Sequence, residues 1–252
     1  MPVAVLADIH GNLPALDAVL ADVAAAGVDT VVLNGDMATG PMPAETLDRL
    51  AGLGDRAVWV RGNCERELVA AFDGTLDPAL PDEARVPTEY CAARITREHR
   101  DLLAGLPTSV TLDVDGLGAV RFCHATARSD TGMVLVDSPV DAYRDAFAGV
   151  GEPTVVLGHT HMPFDRLADR RRFVNAGSVG MPYGGVGAFW ALLGPDVVLR
   201  RTPYDLDAAA ALLRDAAPEY PGIDEFVAEN VRTTASDAEA LAVFSRAARA
   251  KS

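Results

Sequence analysis

Five short apolar runs in this chain each break off into Asp, Asn or His, and that arrangement limits the folds open to it. "VAVLA" (3–7) leads into Asp8-Ile9-His10, "TVVLN" (30–34) into Gly35-Asp36, and "AVWV" (57–60) into Gly62-Asn63. "AVRFC" (119–123) leads into His124, and "TVVL" (154–157) into Gly158-His159-Thr160-His161. Short runs of this kind, bounded by glycine, read as buried strands. Gly-Asp or Gly-Asn alone is an ordinary turn. Five such ends, using four of the chain's five histidines, call for another explanation. In α/β sheets, ligands bind beyond the carboxyl ends of strands.

The segments between these runs supply the expected fold. Residues 13–26 carry apolar groups at helical spacing, and 43–53 do so before Gly52 and Gly54. Strand, helix, strand, helix, strand implies parallel pairing with right-handed crossovers. Residues 64–105 hold helical patterns broken by Pro78, Pro81 and Pro87, and 96–106 is the clearest helix, with Thr96 as its N-cap. Hairpins are expected over 109–125, turning at Asp115-Gly116, over 164–178, and over 187–205, turning at Gly194-Pro195. A helix is expected near 139–149. The first half thus supplies a parallel part and the second half an antiparallel part. Residues 1–204 form the expected catalytic domain, and 205–252 an expected helical extension of three helices packed on it.

The strand ends collect Asp8, His10, Asp36, Asn63, His124, His159 and His161. Residues two apart in extended chain share a side, so Asp8 and His10 reach one centre, as do His159 and His161. Two carboxylates, one amide and four imidazoles form a set of oxygen and nitrogen donors without thiolate. Seven donors exceed what one ion with an open position needs. They suit two cations about 3.5–4 Å apart that share a carboxylate, with one of the paired histidines serving each. His99, mid-helix among charged residues, reads as a surface group.

Composition narrows the function. The net charge is −14 and the only lysine is Lys251, so no basic stripe marks nucleic-acid binding. The arginine cluster at 166–173 reads as a solvated hairpin tip. Three scattered cysteines without a Cys-x-x-Cys pair argue against a disulfide framework and thiolate zinc. No apolar run reaches the ~20 residues of a membrane span, and "MPVAVLADIHGN" has no basic leader. The expectation is a cytoplasmic protein.

In order, "DIHGN" (8–12), "GD" (35–36), "GNCE" (62–65), "CHA" (123–125) and "GHTH" (158–161) resemble the calcineurin-like metallophosphoesterase superfamily. "NAGSVGMP" (175–182) is similar to a segment of its small prokaryotic members. The resemblance covers about residues 3–200 and implies a four-layer α/β/β/α sandwich of two mixed sheets. It implies two divalent cations (Mn, Fe, Zn or Ni), the first held by Asp8, His10 and His161, the second by Asn63, His124 and His159, with Asp36 between them. The reaction implied is phosphodiester or phosphomonoester hydrolysis by in-line attack of a hydroxide held between the metals. Alternatives of the same fold are a protein Ser/Thr phosphatase, a dinucleoside polyphosphate hydrolase and a non-catalytic scaffold. The family's histidine after Gly-Asn is Cys64 here, either a leaving-group acid or a packing residue. Arg128 is read as a substrate contact, with a salt bridge to Asp130 as the alternative. Asn12 is read on the substrate side, orienting the site through a hydrogen bond. The helical segments 65–106 and 205–252 would shape the pocket, or serve as packing or homo-oligomer surfaces.

Overall fold

A computed structural model describes residues 1–250 of the chain; Lys251 and Ser252, the end of the expected extension, lie outside the described residues. Two five-stranded mixed sheets form its centre. The first contains β1 (Val3–Leu6), β2 (Thr30–Asn34) and β3 (Ala57–Val60), all parallel. The second contains β4 (Ser109–Val114), β5 (Gly118–Cys123), β6 (Thr154–Leu157), β7 (Phe164–Ala168) and β8 (Arg171–Asn175), in the order β4-β5-β6-β8-β7. Here β5, β6 and β8 run parallel, and the edge strands β4 and β7 run antiparallel to their neighbours.

The last hairpin, β9 (Ala188–Leu193) and β10 (Val197–Thr202), does not extend the second sheet. It crosses back, and β9 pairs antiparallel with β1. The expected division into a parallel first half and an antiparallel second half is therefore corrected: each sheet contains both kinds of pairing. The pattern of β9 accounts for this. Ala188, Trp190, Ala191 and Leu193 are all buried, so the strand needs cover on both faces, which a place beside β1 provides.

The period of two sets the layers. Val3 and Val5 of β1 pack between the sheets with Val32, Val60, Phe122, Val156 and Val174. Ala4 and Leu6 point the other way and pack against Leu16, Val19 and Leu20 of α1 (Leu13–Ala25). α2 (Pro43–Ala51), α3 (Asn63–Phe72), α4 (Asp82–Ala92) and α5 (Arg97–Ala104) lie on that same side through Leu47, Leu68, Cys91 and Leu103. On the far side of the second sheet, Tyr143 of α6 (Val140–Ala146) and the adjoining Phe147 pack on Phe173. The result is helix, sheet, sheet, helix, as expected.

Two local expectations change. Pro87 lies inside α4 rather than ending a helix. The carbonyl it leaves without a donor belongs to exposed Glu83, where water can serve. His99 is buried, not a surface group. Its Nδ1 accepts from the Thr96 amide at 3.3 Å while Thr96 Oγ1 accepts from the His99 amide at 3.2 Å, closing a reciprocal cap on α5. Its Nε2 meets Asp48 of α2 at 3.0 Å. The charged neighbours concealed a histidine that joins two helices.

After β10, α7 (Leu206–Ala216) and α8 (Ile223–Val227) pack through Ala210, Leu213 and Phe226 in a cluster that includes Met42. α9 (Asp237–Ala250) follows. No described helix is long and apolar enough to cross a membrane.

Candidate metal centre

The carboxyl ends of β1, β2 and β3 from one sheet meet those of β5 and β6 from the other. Asn34 Nδ2 donates across this seam to the Cys123 carbonyl at 3.2 Å. The seven candidates fall into two groups. Asp8, His10 and His161 bring one ligand atom each within 4.8 Å of one another, and so do Asp36, His124 and His159. Asn63, the first residue of α3, adjoins the second group. His159 and His161 thus divide between the groups, and not by strand alternation. β6 ends at Leu157, and both histidines take left-handed backbone, with φ of 66° and 57°.

That conformation recurs. Among the described residues, seven non-glycine positions have positive φ, and five are Asp8, His10, Asp36, His159 and His161. Left-handed backbone costs such residues about 1–2 kcal/mol each, and strain of this kind gathers at functional sites. Side-chain bonds to the backbone hold the loops in place. Ser178 Oγ donates to the Asp8 carbonyl at 2.7 Å, and Asn175 Nδ2 donates to the Gly158 carbonyl at 2.7 Å. The "NAGSVG" segment therefore braces the first and last ligand loops. The motif glycines make room: a Cβ on Gly62 would fall 2.2 Å from Asp36 Oδ1.

Backbone carbonyls orient three of the imidazoles. Nδ1 of His10 faces the Thr39 carbonyl at 3.1 Å, that of His124 the Asn34 carbonyl at 2.9 Å, and that of His161 the Met181 carbonyl at 2.8 Å. A carbonyl only accepts, so each Nδ1 carries the hydrogen and each Nε2 turns to the cluster. His10 Nε2 and His161 Nε2 stand 3.2 Å apart. His124 Nε2 lies 3.2 Å from Asp36 Oδ2, and His161 Nε2 lies 3.3 Å from Asp8 Oδ1. His159 Nε2 is buried without a partner.

In the absence of a cation the Asn63 amide is satisfied in one sense only. With its nitrogen toward His159 Nδ1 and the Asp130 carbonyl, it meets both at 3.2 Å. In the other sense, its oxygen and His159 Nδ1 face each other as two lone-pair donors. Crowded donors, hydrogens turned outward and an orphaned buried nitrogen are what a cation site requires. The residues fit the metals that the motifs imply.

Without cations, protons carry the balancing charge. Burial alone would lower His124, but Asp36 beside it, with Asp8, pushes it up to about 10. Burial would raise Asp36, but His124, by charge and hydrogen bond, holds it below the usual carboxylate range. Burial would also lower His161, and Asp8 overrides it upward. His10 is lowered by burial and then by His161. His159 falls to about 4 through burial and the charge on His124.

The other expected residues sit as follows. Cys64 is buried, and its thiol is raised well above its ordinary value by burial and by Asp36, Glu65 and Glu67. Its amide donates to Asp36 Oδ1 at 2.9 Å. Asn12 is fully buried, and both ends of its amide are engaged: Oδ1 caps α1 at Ala15, and Nδ2 donates to the Gly180 carbonyl at 3.0 Å. Through these two bonds it ties the start of α1 to the Gly180 loop. Arg128 is exposed, and Asp130 pairs with Arg66 at 2.7 Å instead of with Arg128.

Glu65 was not foreseen. Fully buried, it accepts from the amides of Asp36 at 2.9 Å, Met37 at 2.7 Å and Gly62 at 2.8 Å. One carboxylate thus joins the loops after β2 and β3. Burial and the Asp36 charge push it up to about 7, against the pull of those amides. The available signal was a glutamate at the third position of a helix whose cap is glycine.

Residues 1–194 match the model of the calcineurin-like phosphoesterase superfamily domain. Among curated proteins, the phosphodiesterase YfcE of Escherichia coli K12 is 26% identical over 203 residues, covering 76% of this chain and 86% of that protein. Among solved structures, a metallophosphoesterase from Sphaerobacter thermophilus is 25% identical with a TM-score of 0.71, covering 90% of this chain and 97% of that one. The hypothetical protein PH1004 from Pyrococcus horikoshii OT3, at 21% identity and a TM-score of 0.75, covers 93% of this chain and 99% of its own, and shares the fold.

Proposed function

The chain belongs to the calcineurin-like phosphoesterase superfamily, and from that premise we propose that it hydrolyses a phosphate ester, as a phosphodiesterase or phosphomonoesterase, at a pair of divalent cations. The observation that carries this reading is the division of six buried or half-buried ligand groups into two adjoining sets. Asp8, His10 and His161 would hold one cation, and Asn63, His124 and His159 the other. Asp36 would serve both, a role supported by its charge acting on His124 and His159 of the second set and on His10 of the first. When bound, such cations lower the pKa of water toward ~7 and neutralise charge on phosphoryl oxygens.

The chain's own residues do the rest. Three backbone carbonyls hold the imidazoles in the tautomer that presents Nε2. Glu65 fixes the loops carrying Asp36 and Asn63. The Cys64 thiol stays protonated beside Asp36, where a leaving alkoxide would need a proton. Its raised pKa makes it a slow donor, which favours esters whose leaving groups depart as stable anions. A nitrophenyl diester, close in kind to what a phosphodiesterase such as YfcE is named for, is the natural first substrate to try.

The test is a panel of mono- and diesters assayed on metal-stripped protein reloaded with Mn, Fe, Ni or Zn, alongside metal analysis. Two ions per chain and turnover are expected. Asp36→Asn should reduce kcat by about 10²–10³-fold or more, the scale for losing one such electrostatic group, while the circular dichroism spectrum is retained. Two bound ions without turnover of any ester would favour the scaffold reading. Failure to bind metal at all would end both.

A further inference from the structure

Beside the donor cluster lies a cavity of about 350 Å³, and His124 lines it. The volume suits part of a small ligand. Its other walls include Arg61, Arg66, Arg128, Ser109 and Asp130. In a chain of net charge −14, three guanidinium groups around one space are notable. Their pairing is unequal. Arg66 Nε donates to Asp130 Oδ2 at 2.7 Å and its Nη2 reaches Glu67 at 3.3 Å, so that arginine is spent.

Among the described residues, Arg61 and Arg128 pair with no carboxylate, and the Nε of Arg61 is buried without a partner. Ser109 Oγ already accepts from Arg121 at 2.9 Å, which leaves its hydroxyl hydrogen free to donate. The lining side chains therefore offer two uncompensated positive charges and a hydroxyl donor. Of the seven candidate donors, His124 alone lines this cavity, so the space extends outward from one edge of the donor cluster.

We infer that this cavity holds a second anionic group of the substrate, a phosphate or carboxylate carried on one ester arm, so that the enzyme prefers esters charged at a site remote from the reacting phosphorus. The inference rests on the proposed phosphoesterase reading and adds the class of ester. Guanidinium groups bind phosphate and carboxylate through forked, charge-assisted bonds. Arg128 is exposed at the rim and reaches an arm as it enters. Arg61, half-buried, meets it deeper, where the low dielectric strengthens the attraction.

The experiment compares three nitrophenyl phosphodiesters that share a leaving group, with a second arm that is alkyl, carboxyalkyl or phosphoalkyl. For the metal-loaded wild type, kcat/KM should be about tenfold or more higher with a charged arm than with the alkyl arm at low salt, a scale typical of one well-paired ion contact. The gain should lie mainly in KM and shrink as salt rises. Arg128→Gln, at an exposed position, should bring the ratio toward one, and Arg61→Gln should do the same.

Calorimetry with the matching phosphonates, which are not hydrolysed, should show the same order of affinity in the wild type and its loss in Arg128→Gln. Preference for the carboxyalkyl or the phosphoalkyl arm alone would identify the anion, and either supports the site. Turnover of all three esters at equal efficiency, or a preference that both arginine variants retain, overturns it. Absence of turnover with any ester at full metal loading overturns the parent reading instead. Tighter binding of charged phosphonates could then still report the cavity by itself.

Discussion

The Nε2 atoms of His10 and His161 face each other at 3.2 Å, while the Nδ1 of each ring is committed to a backbone carbonyl. Two neutral rings so arranged would oppose lone pair to lone pair. Either a proton or a cation must lie in that region. Asp8 raises His161, which supplies the proton when metal is absent.

Metal loading should therefore displace protons. With His124 pushed up to about 10 and His161 also raised, cation binding at pH 7.5 is expected to release at least the His124 proton. Calorimetry in buffers of different ionisation enthalpy measures this directly, and zero release would contradict the ligand assignment. The stripped protein should have its own pH signature. His124 ionises near 6.5 when unfolded and near 10 when folded. Its stabilising share is thus complete below 6.5 and lost as pH rises through 10. The melting temperature of stripped protein should fall across that window, and that of loaded protein should fall less.

Glu65 is the second point to test. Its two oxygens receive three backbone amides. In Glu65→Gln, one oxygen becomes an NH₂ that confronts a donor. An unmet buried donor costs about 1–3 kcal/mol, and loss of such an outer partner weakens metal affinity or activity roughly 10–100-fold. Denaturant melts and metal titration should show both changes. A variant with wild-type affinity for both ions would show that Asp36 does not need this brace.

Much of this site was legible because its residues follow buried strands in order. The apolar runs located β1, β2, β3, β5 and β6, and the histidine count directed attention to their ends. Other features depend on contacts distant in sequence. Nothing local in "AFWALL" indicates that β9 returns to β1, where Leu193 pairs with Val3, 190 positions earlier in the chain. The burial of His99 is not written in its own segment, because Asp48, its partner, lies on another helix. The left-handed backbone of the ligands was hidden for a related reason: local preference opposes it, and the folded loops impose it.

Cys64 yields a kinetic prediction. Its thiol is buried and raised by burial and three nearby carboxylates, so proton transfer to a departing alkoxide should be slow. Aryl diesters, which leave without a proton, should turn over faster than alkyl diesters by about 10²-fold or more, the usual range of general-acid assistance. Cys64→His should narrow that gap by raising the alkyl rate. An unchanged ratio would mean that Cys64 serves packing alone.

The C-terminal helix provides the last test, because it reaches His161 of the donor cluster through aromatic rings. Tyr183 stacks on His161 with centroids 5.8 Å apart and planes at 27°, and Phe244 of α9 meets Tyr183 edge-on at 5.8 Å. Ala240, Leu241 and Phe244 complete the contact with Leu135 and Met162. An aromatic pair contributes about 0.5–1.5 kcal/mol beyond burial, and α9 makes few other apolar contacts in this cluster. Phe244→Ala should therefore release the helix locally without unfolding the sandwich. Amide exchange should accelerate over 237–248 and remain unchanged in β1, β2 and β6. With its stacking partner loosened, His161 should lose its cation faster, by a few-fold, in a chelator chase. Rapid exchange in α9 with unaltered cation release would show that the Met181 carbonyl alone is enough to hold the ring.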